Sequence, residues 1–132
     1  MIQNSLFLIK EIEMDTKKIV EFKGNSYQVN FPNNREYVKI QNLKSLLASN
    51  YDSLEYNGPE AMFAQAIVDA ESHLSVMCPD LVKSLNKPFG ELSLIESREI
   101  VTMYTQEVRP WYNELLNFVF GVNKKDEEQK ES

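Results

Sequence analysis

Strand-like alternation of apolar and polar residues is confined to one stretch near the start of this chain of 132 residues. Between residues 18 and 32, alternate positions carry a large apolar side chain, in two short runs. The apolar positions are Val20 and Phe22, then Tyr27, Val29 and Phe31. This period of two predicts two strands that each present one apolar face. The strand signals are too close together, and the later chain too helical, for repeated βαβ units. We therefore predict an α+β fold without a parallel sheet.

A turn signal separates the two predicted strands. Gly24-Asn25 suits the two-residue turns of β-hairpins, which require positive φ. Pro32 should end the second strand, because proline cannot donate a hydrogen bond to the ladder. Residues 18–32 are thus predicted to form a hairpin. Since an isolated hairpin is marginally stable in water, it should pack on the helices that follow.

Helical periodicity dominates residues 34–121, which we predict to form three to four helices. The segment 34–48 repeats apolar residues at helical spacing, and Asn33 or Asn34 can supply its N-cap oxygen. Pro59 stands where the next helix, over residues 60–77, can begin. That helix is rich in alanine, and Pro79 should end it. The bundle is therefore predicted to contain a close-packed, alanine-rich helix.

The last helix is predicted to be long and to carry the strongest apolar stripe. Ser93 followed by Glu96 matches a capping box, and Gly121 suits the C-terminal cap. Pro110 lies inside this helix, so we expect a kink near residues 105–109, or two helices in sequence. The stripe consists of Val101, Tyr104, Val108, Trp111, Leu115 and Phe118. Trp111 is thereby predicted to lie in the core, whereas its neighbours Arg109 and Tyr112 are candidates for surface contact.

Composition changes at both ends divide the chain into three parts. Residues 1–17 hold a short apolar run at 6–9 followed by acids, and we treat them as an N-terminal arm. They lack the basic start and the small-residue cleavage site of a signal peptide. Residues 18–121 should form a single globular domain. Residues 122–132 are almost entirely polar and charged, which predicts a disordered tail.

Charge and residue counts exclude several classes of function. The net charge of −6 argues against generic binding to nucleic-acid phosphates, and no apolar run approaches the length of a membrane span. The chain has one histidine, one cysteine and no glycine-rich phosphate loop, so we expect no metal, nucleotide or other cofactor. Asp69 and His73 share a helix face, but a catalytic zinc normally takes three protein ligands. We predict no catalytic residues and no enzymatic activity.

The order of elements provides a family resemblance. The hairpin ends in YQVNFP, the next helix carries REYVKIQNLKSLLASNYDSL, the alanine-rich helix ends in HLSVMCPDL, and the last contains EVRPWYNELLN. Over residues 18–120, these sequence segments and the order of their elements resemble small tailed-bacteriophage proteins of the virion-assembly region. Those proteins are tail assembly chaperones or small structural proteins. The resemblance implies action through protein–protein contacts in the host cytoplasm, or as part of the virion. Implied partners are other virion or tail proteins, including a tape-measure protein, and further copies of the chain.

The end of the apolar stripe is the predicted contact surface. We expect the helices of so short a chain to leave the stripe uncovered beyond Pro110, and large open apolar patches are uncommon on monomers. The predicted protein-interaction residues are Arg109, Tyr112, Leu116, Val119 and Phe120. An alternative function is that of a small acidic regulator of a host protein, because residues 51–100 contain nine acidic and three basic residues.

Overall fold

The computed structural model describes residues 16–49 and 58–121. Residues 1–15 of the predicted arm, residues 50–57 and the predicted tail at 122–132 lie outside this described part.

The hairpin consists of strands β1 (Lys17–Phe22) and β2 (Asn25–Asn30), paired antiparallel. Phe22 pairs with Asn25, so the turn residues are Lys23 and Gly24, with φ of +51° and +82°. The predicted turn at Gly24-Asn25 is wrong by one residue. Apolar alternation could not decide the matter, because both turns place the same side chains on the buried face. The observed turn is a two-residue turn in which Lys23 adopts positive φ beside Gly24.

Helices make up most of the remaining described chain, which confirms the α+β class. In chain order they are α1 (Asn34–Ser49), α2 (Pro59–Met77), α3 (Pro79–Lys83), a 3₁₀ turn (Phe89–Glu91), α4 (Leu94–Met103), a π-turn (Tyr104–Val108) and α5 (Arg109–Val119). Among these described helices, none is both long enough and apolar enough to cross a membrane.

Side-chain caps fix where two of the helices begin. Asn33 Oδ1 accepts from Glu36 N at 2.9 Å, and the Glu36 carboxylate accepts from Asn33 N at 3.0 Å. Ser93 and Glu96 form the same reciprocal pair, with both bonds at 3.1 Å, as predicted. Each pair satisfies backbone donors that the first helical turn leaves free. These local signals are strong because they depend on residues only three positions apart.

The core lies where α2 meets the hairpin, α1 and the α4–α5 segment. Its fully buried apolar side chains come from all of these elements: Val20, Val29, Ile40, Ala70, Leu74, Met77, Leu81, Ile100 and Val108. Cys78 is buried among them as a free thiol, and burial raises its pKa. Ala70 is completely buried in α2, which allows neighbouring backbones to approach closely.

The π-turn lies where the sequence predicted an irregularity before Pro110. The Arg109 N–H donates to the Tyr104 carbonyl five residues back, and Pro110 has no N–H to continue a regular ladder. The turn thus accommodates one extra residue and shifts the apolar phase of α5. Tyr112 is consequently buried, with 1% exposure, whereas Trp111 is half-buried. Trp111 packs against the core, as predicted, whereas the prediction that Tyr112 is a surface contact is wrong.

Candidate functional site

A polar cluster centred on Asp69 joins four elements, and we call it the Asp69 network. Its other members are Lys44 of α1, His73 of α2, Tyr104 of the π-turn and Arg109 of α5. The Tyr104 hydroxyl donates to Asp69 Oδ2 at 2.9 Å. Asp69 Oδ1 lies 3.5 Å from Arg109 Nη1 and 3.6 Å from Lys44 Nζ. One carboxylate therefore faces two cations and a buried hydroxyl.

His73 is 2% exposed and uses both ring nitrogens within the network. Its Nδ1 lies 2.7 Å from the Asp69 carbonyl oxygen, which can only accept, so the proton resides on Nδ1. Nε2 is then an acceptor, and Arg109 Nη1 lies 3.3 Å from it. Burial lowers the pKa of His73, and the positive charges of Arg109 and Lys44 lower it further. The hydrogen bond to the Asp69 carbonyl and the negative charge of Asp69 raise this pKa but do not outweigh the lowering. The geometry thus favours a neutral imidazole.

The π-turn is what brings Tyr104 and Arg109 together. In a regular α-helix, residues five apart lie about 140° apart around the axis. A π-turn closes its hydrogen bond over five residues and so places them nearly one above the other. Arg109 Nη1 donates to the Tyr104 hydroxyl at 3.3 Å. Burial and the charge of Asp69 raise the pKa of Tyr104 above its usual range, so the hydroxyl stays a donor.

The chemistry of the Asp69 network is that of a cross-link. Apart from the contacts of the Ser72 hydroxyl with the Asp69 carbonyl and His73 Nδ1, its hydrogen bonds are made between its own members, and they tie the start of α5 to α2 and α1. Within residues 16–49 and 58–121, no three His, Cys, Asp or Glu side chains converge as a metal ion would require. Asp69 and His73 do meet, as their spacing suggested, but their neighbours are a phenol and two cations. This arrangement is suited to holding α5 in place.

The Tyr112 hydroxyl stands in contrast to this network. It is buried and has no hydrogen-bond partner among the described residues, although the ring is well packed. The ring lies 5.0 Å from the His73 ring and 5.6 Å from the Phe31 ring, and Arg109 lies 5.5 Å from its centre. Burial raises the pKa of Tyr112 to about 12. The contribution of Tyr112 to α5 therefore comes from its ring.

The last two turns of α5 present an exposed apolar surface, which we call the apolar end. Its members are Leu116, Phe118, Val119 and Phe120. Phe118 is 54% exposed, and Val119 and Phe120 are each 59% exposed. Between residues 110 and 121 the only charged residue is Glu114. Depletion of charge around exposed aromatic side chains is typical of the central part of a protein–protein interface.

The predicted contact residues divide between these two sites. Val119 and Phe120 are exposed at the apolar end, and Leu116 is half-buried against the core. Arg109 is half-buried in the Asp69 network instead of lying on a free surface. Phe118, at the end of the stripe, is also exposed, as predicted for the part of the stripe beyond Pro110.

Sequence reasoning also missed the pairing of Asp69 with Tyr104 and Arg109. The two partners lie 35 and 40 residues away along the chain, so no local spacing reveals them. The available signal was chemical. A tyrosine within an apolar stripe needs a hydrogen-bond partner for its hydroxyl once it is buried.

A cavity of about 290 Å³ lies between the hairpin turn and the loop that follows α3. Phe22, Tyr27 and Leu92 supply apolar walls, and Lys23 and Glu96 bring opposite charges to it. None of its lining residues belongs to the Asp69 network or to the apolar end. Its mixed lining does not select one class of ligand.

Comparison of the chain with protein-family models, with curated protein sequences and with solved structures finds no match.

Proposed function

We propose that this chain is a non-enzymatic assembly chaperone that works by protein–protein contact, with the apolar end of α5 as its contact surface. The observation that carries the proposal is the exposure of Phe118, Val119 and Phe120 on consecutive positions of a nearly uncharged helix end. Exposed aromatic side chains in such a setting are typical of interface hot spots. The resemblance to tailed-bacteriophage proteins supplies the specific client, a long helical tape-measure protein.

The Asp69 network supports this proposal because it fixes the helix that carries the surface. Arg109, at the start of α5, is held by Asp69 and His73 of α2, and the Tyr112 ring packs edge to face against the His73 ring one turn later. A surface on a rigidly positioned helix loses less conformational entropy on binding than one on a loose helix. The polar groups of the network bond to one another, which supports a structural role for them and not a catalytic one.

The test is co-expression with the tape-measure protein of the same phage, followed by measurement of the soluble fraction of that client. Phe120→Glu should lower the soluble client about tenfold, since losing one hot-spot side chain costs about 1.4 kcal/mol or more. Met62→Glu is the matched control, because Met62 is 69% exposed on α2, outside the apolar end. It should leave the soluble fraction unchanged. A folded Phe120→Glu protein that still keeps the client soluble contradicts the proposal.

Mass spectrometry of purified particles separates the two phage roles. A chaperone leaves before the particle is complete, so its peptides should be absent. Their presence in stoichiometric amounts supports the alternative, a structural subunit of the tail or head–tail connector.

A further inference from the structure

Strand β1 has a free edge. In the part of the chain that the structure describes, β1 pairs only with β2, so one side of its backbone has no strand neighbour. The Phe31 N–H donates to the Thr16 carbonyl at 2.8 Å, and this pair continues the register of the two strands. Hydrogen-bonded pairs alternate with non-bonded pairs along an antiparallel ladder. Lys17, Ile19 and Glu21 therefore direct their backbone N–H and C=O groups towards the free edge.

The side chains of the same three residues lie on the solvent face of the hairpin. Lys17 and Glu21 are exposed, and Ile19 between them is 61% exposed. Within residues 16–49 and 58–121, neither Lys17 nor Glu21 has an ion-pair partner, whereas Lys23 Nζ at the turn lies 3.7 Å from Glu99 Oε2. The free edge thus presents a cation, a large apolar side chain and a carboxylate at alternate positions.

This order of side chains is complementary to itself. Two antiparallel copies of β1 can meet at their free edges with Ile19 opposite Ile19 of the second copy. Lys17 of each copy then lies opposite Glu21 of the other, and all of these residues direct their backbone groups to the shared edge. Opposite charges directly across two strands stabilise the pair, whereas like charges destabilise it.

Other registers that use the same backbone groups are less favourable. A shift of two residues in either direction places Ile19 opposite a charged residue and breaks both ion pairs. A shift of four residues places Lys17 opposite Lys17, or Glu21 opposite Glu21, of the second copy. The charge pattern therefore selects one register and one orientation.

We propose that the chain forms a homodimer through the free edge of β1, with two Lys17–Glu21 ion pairs on either side of a central Ile19 pair. The two hairpins then form one four-stranded sheet, and the helices of both copies lie on the same side of it. Such an interface is isologous, as in most homodimers. It also closes an edge that otherwise invites nonspecific strand addition. This surface is separate from the apolar end of α5, so the inference does not depend on the proposed function.

Sedimentation of the full chain at increasing concentration tests the dimer. The wild type should shift towards twice the monomer mass. Lys17→Glu and Glu21→Lys should each raise the dimer Kd about tenfold, because each substitution converts two attractive pairs into repulsive ones. The double variant Lys17→Glu/Glu21→Lys should restore the wild-type Kd, and an equimolar mixture of the two single variants should form a mixed dimer. Lys39→Glu, at an exposed position of α1, is the matched control and should leave the Kd unchanged.

Cysteine cross-linking tests the register independently. In the proposed pairing the two Ile19 Cα atoms lie about 5.5 Å apart, within the range that a disulfide bridges. Ile19→Cys should therefore form a covalent dimer on mild oxidation. Lys17→Cys is the matched control, because the two Lys17 Cα atoms lie about 13 Å apart along the strands, too far for a disulfide. The native Cys78 is buried and is common to both variants.

Several results would overturn the inference. One is a wild-type chain that stays monomeric at millimolar concentration. Another is a dimer that both single charge variants leave intact, or that Phe120→Glu dissociates in their place, since the interface would then lie at the apolar end. Equal cross-linking of Ile19→Cys and Lys17→Cys would refute the proposed register.

Discussion

Tyr104 and Tyr112 are both buried, but their hydroxyl groups have different surroundings. Removing the hydroxyl should therefore lower the stability of the domain at Tyr104 and not at Tyr112. Tyr104 is 2% exposed, and its hydroxyl donates to Asp69 at 2.9 Å. A hydrogen bond to a charged group contributes about 1.5–3 kcal/mol to stability. The Asp69 side chain is 22% exposed, so water can replace part of the lost bond. Tyr104→Phe should therefore lower the free energy of unfolding by about 2 kcal/mol.

Tyr112→Phe is the matched substitution eight residues further along. Tyr112 is 1% exposed, and within residues 16–49 and 58–121 its hydroxyl has no hydrogen-bond partner. Leaving a buried donor unpaired costs about 1–3 kcal/mol, a penalty that phenylalanine does not have. The ring contacts with His73 and Phe31, and the Arg109 cation over the ring, are all available to phenylalanine. Tyr112→Phe should leave stability unchanged or raise it by up to about 1 kcal/mol.

Urea denaturation of both variants and the wild type measures the two free energies under identical conditions. In a thermal scan the 2 kcal/mol loss of Tyr104→Phe corresponds to a Tm lower by about 7 °C for a domain of this size. Adding Asp69→Asn completes a double-mutant cycle, which should give a coupling energy of about 1–2 kcal/mol between Tyr104 and Asp69. Equal effects of the two Tyr→Phe substitutions, or a larger loss at Tyr112, would refute this account of the network.

Two further predictions concern titration and capping. Because burial lowers the pKa of His73 below its usual 6.5, the unfolded chain takes up the proton first as the pH falls. The stability contributed by neutral His73 should therefore fall as the pH drops through and below about 6.5. His73→Gln should flatten this part of the stability–pH curve in urea titrations. Ser93→Ala removes the side chain that caps α4 and should lower the free energy of unfolding by about 1 kcal/mol. The control Ser45→Ala, at an exposed position inside α1, should not lower it. Similar losses in both variants would contradict the capping role.

The parts of this fold that the sequence predicted well are those specified by short-range patterns. The pair Ser93 and Glu96 lies within one helical turn, and so does the pair Asn33 and Glu36. Alternation over residues 18–31 likewise identified the hairpin, because period-two burial is a property of each strand by itself. Such signals require no knowledge of which element packs against which.

Features that depend on tertiary contacts were not predicted. The turn position at Lys23 could not be decided by alternation, since both registers bury the same face. The Asp69 network joins residues up to 40 positions apart, and its distances follow from how α2 packs beside the π-turn. Asp69 and His73 were recognised as sharing a helix face, but no local pattern identifies Tyr104 and Arg109 as their neighbours.

A single extra residue at the π-turn accounts for the error at Tyr112. Without it, the stripe of a regular helix would turn Trp111 inward and leave Tyr112 outside. With it, Tyr112 lies inward against His73, and Trp111 is half-buried against the core. The same turn stacks Arg109 over Tyr104 and so completes the Asp69 network. Pro110, which favours the irregularity because it lacks an N–H, thus influences both how α5 is held and which of its side chains remain available for a partner.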